Sequence, residues 1–142
     1  MSPRIRPSLI AGQWYPGDAS ELRQTIEGYF ANVEQADLSG EPVALISPHA
    51  GYAYSGQTAA HAYSQIRDQP YDIVAVVSPL HRVPLGQFAV TDADAYQTPL
   101  GNVSVDHGLV EALAERVPIN RVGFDGEHSL EIQLPFLQVA LD

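Results

Sequence analysis

Two continuous apolar runs, at residues 43–46 and 73–77, predict strands over residues 43–47 and 72–78, and neither run alternates with polar residues. Runs of this kind are typical of parallel strands that are covered on both faces. The segment between them predicts a helix over residues 55–67, ended by Gln69-Pro70. A strand, a helix and a second strand of this length predict a βαβ unit, with parallel strands and a right-handed crossover.

Apolar residues at helical spacing predict a further helix near the start of the chain. The apolar face of this helix is expected to pack on a sheet. Its apolar stripe consists of Leu22, Ile26, Tyr29, Phe30 and Val33. Asp18 or Ser20 precedes the stripe, and either side chain suits the N-cap position.

The second half of the chain predicts shorter elements. Strands are expected over residues 87–91, 103–105 and 119–124, and a helix over residues 107–116 with Asp106 as its cap. A last helix is expected around residues 127–138, with a kink at Pro135 because proline has no N–H to donate.

The chain of 142 residues suits one domain, spanning residues 1–142. The order of elements predicts an α/β fold with a largely parallel sheet and helices on both faces. No strand follows the last helix to use it as a crossover, so we expect this domain to be incomplete at its C-terminal end.

The charge balance excludes some partners. Seventeen acidic residues stand against seven lysines and arginines, for a net charge of −10. Nucleic acids and anionic membranes attract clustered basic residues, so neither is expected as a partner. No apolar run approaches the length of a membrane span, and no signal segment is evident, so we expect a cytoplasmic protein. The chain has no cysteine and thus no thiolate ligand of its own.

Candidate chemistry lies where the predicted strands end. Ser47-Pro48 leads into His49, and Ser78-Pro79-Leu80 leads into His81. Ligands of open α/β sheets collect at the carboxyl ends of the strands, and neighbouring strands are about 4.8 Å apart. The two imidazoles could therefore reach one metal ion or a substrate. His128 follows a third predicted strand end. Imidazole suits iron, zinc and copper alike.

Several neighbouring residues have two readings each. Glu127 and Glu131 could orient an imidazole or act as a base, or could belong to a solvated helix face. Tyr54 could line a pocket or donate a phenolic proton, and Trp14 could either line the pocket or pack the N-terminal arm (residues 1–16) onto the body. His61 lies mid-helix and is expected either at the surface or beside a ligand residue, not as a ligand itself.

Five motifs in this order resemble those of the Memo family, known in prokaryotes as the AmmeMemoRadiSam system protein B family. They are Ala11-Gly12-Gln13-Trp14-Tyr15-Pro16, Pro48-His49-Ala50-Gly51-Tyr52-Ala53-Tyr54-Ser55-Gly56, Ser78-Pro79-Leu80-His81, Thr98-Pro99-Leu100-Gly101 and Glu127-His128-Ser129-Leu130-Glu131-Ile132-Gln133-Leu134-Pro135-Phe136-Leu137.

The resemblance implies a fold like that of the class III extradiol dioxygenases, which hold Fe(II) at the end of an α/β sheet. It implies that His49 and His81 are metal ligands and that His128 lines the same cleft. Family members are usually about twice as long, and their third ligand is a cysteine from the half that this chain lacks. Arg82 replaces a second histidine that many members have after His81.

Three functions are compatible with these residues. The first is a redox enzyme of the extradiol type, with iron or copper on His49 and His81 and with His128 as acid or base. The second is a non-catalytic binding or adaptor protein for a small molecule or peptide, since the resemblance links the family to radical-SAM and AMMECR-type proteins. The third is a zinc hydrolase that uses the same two histidines.

Overall fold

Four helices and two small sheets make up the regular structure of the residues described by the computed structural model, which are 2–34, 36–82, 88–123 and 126–141. The helices are α1 (Ala19–Ala31), α2 (Tyr52–Tyr63), α3 (His107–Ala114) and α4 (Leu134–Ala140). Short 3₁₀ helices cover Ser64–Ile66 and Glu131–Gln133. Within these ranges, no helix has the length and apolar composition needed to cross a membrane.

The strands form one mixed sheet and one parallel sheet. Strands β1 (Ile5–Arg6), β3 (Ala95–Thr98) and β4 (Gly101–Ser104) lie in the order β1-β3-β4, with a parallel and an antiparallel pair. Strands β2 (Phe88–Thr91) and β5 (Ile119–Val122) pair in parallel. The predicted α/β class is thus confirmed, but the sheets are not wholly parallel.

The core lies between α1, α2 and α4. Leu22 and Ile26 of α1 are fully buried, as the helical spacing predicts, and Phe136 of α4 is 1% exposed. The Phe136 ring stacks on Tyr63 of α2 at 5.2 Å between ring centres. Burial of apolar area of this kind is the main favourable contribution to folding.

Capping side chains fix where the helices begin. The Asp18 carboxylate accepts hydrogen bonds from the N–H groups of Ser20 and Glu21, so Asp18 is the N-cap of α1. Asp106 caps α3 in the same way. Gly56 of α2 allows close packing, since a Cβ there would lie 2.5 Å from the Tyr29 ring.

The prediction of buried strands at residues 43–47 and 72–78 is wrong for this structure. Neither run is a strand, and no described residue pairs with either of them as part of a sheet. Val43, Ile46 and Val77 are 101%, 98% and 84% exposed. A strand needs hydrogen-bonding neighbours and cover on its apolar faces, and the described residues supply neither. The βαβ unit is therefore not formed.

The last helix also differs from the prediction. Glu127 and His128 precede it in irregular chain, and the Glu131–Gln133 turn leads into α4. Pro135 lies in the first turn of α4, where its missing N–H removes no intrahelical hydrogen bond. It starts the helix and does not kink it. His128 and Glu131 consequently do not share a helix face.

The other strands follow the sequence in part. The strand predicted at 87–91 is confirmed as β2, although residue 87 lies outside the described residues. The strand predicted at 119–124 is β5, and residue 124 lies outside the described residues as well. Strands β1 and β3 have no counterpart in the predictions.

Candidate metal centre

Three histidines from distant parts of the chain form one group, which we call the histidine cluster (His49, His81 and His128). The Nε2 atoms of His49 and His81 are 3.3 Å apart. The His128 ring lies 5.0 Å from that of His81 and stacks on it, and it lies 6.4 Å from that of His49. The convergence predicted for His49 and His81 is present, although the strands expected to create it are not.

The segment at residues 129–133 brings the two Ser-Pro corners together. The Ser129 hydroxyl donates a hydrogen bond of 2.6 Å to the carbonyl of Pro79, two residues before His81. The Gln133 amide donates one of 3.1 Å to the carbonyl of Pro48, directly before His49. Side chains of one segment therefore fix both histidine-bearing corners in place of a sheet.

Sequence reasoning missed Ser129 and Gln133. A signal was available, because polar residues 129, 131 and 133 alternate with apolar residues 130, 132 and 134 just after His128. All three polar side chains are buried. Buried polar groups need hydrogen-bond partners, so this pattern in an apolar context marks residues that hold other parts of the chain.

The start of α2 places His49 beside the N-terminal arm. The Tyr52 N–H donates to the Trp14 carbonyl at 2.8 Å, and Gly51 packs against Trp14. The Tyr52 hydroxyl is buried and donates to the Ile132 carbonyl. Burial raises the pKa of Tyr52 well above its usual value, so its hydroxyl remains a donor. Tyr52 thus belongs to the core.

Glu127 holds His81 at two points. Its carboxylate accepts one hydrogen bond from the His81 main-chain N–H at 2.7 Å and one from the ring Nδ1 at 2.9 Å. The N–H groups of His128 and Ser129 donate to the same carboxylate. Burial acts against ionisation, but these hydrogen bonds outweigh it and hold the pKa of Glu127 well below its usual range.

This contact decides which nitrogen of His81 can bind a ligand. With Nδ1–H directed at a carboxylate, the lone pair of the ring is at Nε2, which lies within hydrogen-bond distance of His49 Nε2. Carboxylates commonly orient metal-binding histidines in this way. Glu127 is 7% exposed, so the alternative of a solvated helix face is wrong for it.

Glu131 is fully buried and faces the N-terminal arm. Its carboxylate accepts hydrogen bonds from the side chains of Arg6, Ser8 and Tyr15 and from the N–H groups of Leu9 and Ile10. The solvated-face alternative is wrong for this residue as well. The arrangement suits a carboxylate that fastens the arm, since its oxygens are engaged by these donors and not by the histidine cluster.

His128 lies on the inner side of the cluster, with 19% of its side chain exposed. Burial lowers the pKa of His128, the charge of Glu127 acts against this effect, and the other two histidines add to it. His61 and His107 lie outside the cluster. His61 is exposed on α2, and His107 contacts Asp94 at 3.0 Å.

A cleft of about 710 Å³ opens beside the cluster. His49 and His128 form one part of its wall, and Trp14 and Tyr54 form another. Tyr54 is 89% exposed and Trp14 is 37% exposed, so both rings can meet a ligand from solvent. The structure therefore brings both aromatic candidates to the same cleft as His49 and His128.

The histidine pair has the spacing of two ligands of one ion. Imidazole nitrogens bind zinc at about 2.0–2.1 Å, so two of them on one tetrahedral ion lie about 3.3 Å apart. The Nε2 atoms of His49 and His81 are 3.3 Å apart. A donor set of imidazoles beside a carboxylate suits zinc, copper and iron.

A second set of ligands shares His81 with this pair. His81, Glu127 and His128 each offer an atom within 4.8 Å of the others. In that set Glu127 would bind the ion directly, whereas beside the His49–His81 pair it orients the His81 ring. The two sets therefore differ in the role of Glu127.

The chain is similar over its whole length to known proteins. The family model described as Memo-like protein matches residues 6–142. Protein MEMO1 of Danio rerio is 34% identical over 147 residues, which cover 100% of this chain and 49% of that protein. A MEMO1 family protein of Thermoplasma volcanium is 31% identical over 94% of this chain and 50% of its own length.

A third relative, Protein memo-1 homolog of Caenorhabditis elegans, is 38% identical over 93% of this chain and 38% of its own length. The chain thus spans about half the length or less of these relatives. The family model covers nearly all of the chain, and the resemblance of its motifs is confirmed. The chain belongs to the Memo-like protein family.

Proposed function

We propose that this chain is a metal-binding member of the Memo family in which His49 and His81 bind one ion through their Nε2 atoms. The observation that carries the proposal is the separation of 3.3 Å between these atoms. That spacing suits one shared ion, and the Glu127 contact leaves the His81 lone pair on the correct nitrogen.

The same site supports a metal-dependent redox enzyme that resembles the extradiol dioxygenases. Bound iron or copper would supply redox and Lewis-acid chemistry. Trp14 and Tyr54 would bind a small molecule or peptide in the cleft, and His128 on its wall would exchange a proton with that ligand. Glu127 would hold His81 in place throughout.

Two observations bear on the alternatives. The cleft borders His49 and so gives a ligand access to one member of the histidine pair, and an accessible position is typical of catalytic metal sites and not of structural ones. This favours an enzyme over a non-catalytic adaptor for radical-SAM and AMMECR-type partners. Tetrahedral spacing also suits zinc, so a zinc hydrolase remains the second candidate.

Elemental analysis of anaerobically purified protein tests the metal site. We expect His49→Ala and His81→Ala to lose the stoichiometric metal of the wild-type chain. His61→Ala is the matched control, since His61 is exposed on α2 outside the cluster and its variant should keep the metal. Unchanged metal content in both cluster variants would disprove the assignment.

Reconstitution separates the enzyme classes. Oxygen uptake with iron or copper would support the redox enzyme. Turnover that zinc restores in the absence of oxygen would support the hydrolase instead.

A further inference from the structure

Glu127 itself lies in irregular chain and needs an anchor. Gly126 before it has a φ of +63°, and no helix or strand begins until Glu131. Glu127 therefore lies outside the helices and strands of the described residues. The position of its carboxylate, and with it the His81 ring, depends on what holds this peptide.

Arg6 provides such an anchor. Its side chain is 2% exposed, and one guanidinium nitrogen donates to the Glu127 carbonyl. A second nitrogen donates to the Glu131 carboxylate at 3.2 Å, and that carboxylate is fully buried. The planar guanidinium has several donors in a fixed arrangement, so it can bind both acceptors at once.

The sheet holds Arg6 in turn. Arg6 lies in β1, where it pairs with Tyr96 of β3, and its guanidinium lies 5.0 Å above the centre of the Tyr96 ring. A continuous series of contacts thus leads from this sheet through Arg6 and the Glu127 peptide to the His81 ring. No residue of the series other than Glu127 and His81 belongs to the candidate site.

We infer that Arg6 is a positioning residue for the metal centre, which acts by fixing the Glu127 peptide so that its carboxylate holds His81 Nδ1. The inference rests on the proposed metal function for its effect on binding. Its effect on the His81 ring does not, because the Glu127 carboxylate contacts His81 Nδ1 directly.

Arg6→Lys is the first test. A single ammonium keeps the positive charge beside Glu131 but cannot reproduce the two-acceptor geometry of guanidinium. We expect the affinity for Zn²⁺ or Co²⁺ to fall about 3- to 10-fold, less than is typical for loss of the orienting carboxylate itself. In metal-free protein, long-range proton–nitrogen NMR should show His81 shift from the Nδ1–H tautomer toward a mixture of tautomers.

Arg4→Lys is the matched control. Arg4 lies two residues earlier on the same arm and pairs with Asp92 at 2.9 Å, but its side chain is 62% exposed. This variant should leave both the tautomer and the metal affinity unchanged. If Arg6→Lys also leaves both unchanged, the inference is overturned, even if that variant unfolds at a lower temperature.

Tyr96→Leu keeps the inference testable if Arg6→Lys does not fold. It removes the ring beneath the guanidinium and leaves the charges of Arg6 and Glu131 in place. A smaller change in the same direction is expected for tautomer and affinity, and no change in either would overturn the inference. If wild-type protein binds no metal, the proposed function fails, but the tautomer measurement still decides the role of Arg6.

Discussion

The indole ring of Trp14 lies against the imidazole of His128, with 4.3 Å between ring centres and an angle of 56° between the ring planes. Trp14 is the only tryptophan of the chain. Its fluorescence is therefore a reporter of events at the histidine cluster, and the contact unites its two predicted roles. The ring joins the N-terminal arm to the body and also lines the cleft.

Copper should quench this fluorescence. A Cu²⁺ ion on His49 and His81 would lie close to Trp14, and Cu²⁺ quenches nearby indoles by electron and energy transfer. We expect quenching of wild-type protein to saturate at one equivalent and to be largely absent in His49→Ala. Zn²⁺ lacks this quenching route and is the control ion. Equal quenching of His49→Ala and wild type would mean that the ion binds elsewhere.

Substitution of Glu127 should weaken metal binding without abolishing it. In Glu127→Gln the His81 ring loses the carboxylate that fixes its tautomer, and loss of such a partner typically lowers metal affinity about 10- to 100-fold. Competition titrations with a chromophoric chelator measure this change. Glu111→Gln is the control, because Glu111 is exposed and its carboxylate pairs with Arg121, away from the histidine cluster.

The size of that loss distinguishes the two ligand sets. An orienting carboxylate predicts unchanged stoichiometry and a loss within the stated range. Complete loss of stoichiometric binding in Glu127→Gln would instead make Glu127 a direct ligand together with His81 and His128. Unchanged affinity would exclude both roles.

Glu131 should govern stability. Glu131→Gln leaves the buried Arg6 without its charged partner, and loss of one partner of a buried ion pair costs about 3–5 kcal/mol. Glu111→Gln is again the matched control, since it breaks an exposed arginine pair worth at most about 1 kcal/mol. Urea unfolding followed by Trp14 fluorescence measures both. Equal midpoints would show that Glu131 does not fasten the arm.

The sequence predicted those parts of the molecule that depend on local signals. The apolar stripe of α1 and the cap Asp106 are predicted correctly, and Asp18 is one of the two caps that the sequence allows for α1, because helical spacing and capping act within a few residues. The convergence of His49 and His81 was also predicted, from two matching strand ends. In the structure the two histidines do converge, but hydrogen bonds from Ser129 and Gln133, and not paired strands, hold them together.

The rest depends on contacts between distant residues. Arg6 and Glu131 are separated by 125 positions, and no local pattern relates a basic residue near the start to an acid near the end. The distinction between Glu127, beside His81, and Glu131, beneath the arm, likewise depends on tertiary packing. Both acids looked equivalent in the sequence because both lie close to His128.

Residues 43–47 and 72–78 should give this chain exposed apolar surface in solution. Val43, Ile46 and Val77 are almost wholly exposed, whereas soluble monomers rarely expose contiguous apolar patches of large area. We expect the chain to bind the dye ANS strongly, as proteins with exposed apolar surface do.

The triple variant Val43→Thr, Ile46→Thr and Val77→Thr should bind less dye and unfold at the same temperature, because these side chains bury little area. Ile26→Thr is the contrasting variant, since Ile26 is fully buried in α1 and its loss should destabilise the core. A marked drop in the unfolding temperature of the triple variant would show that the three side chains are buried in solution, and would restore the buried strands that the sequence predicts.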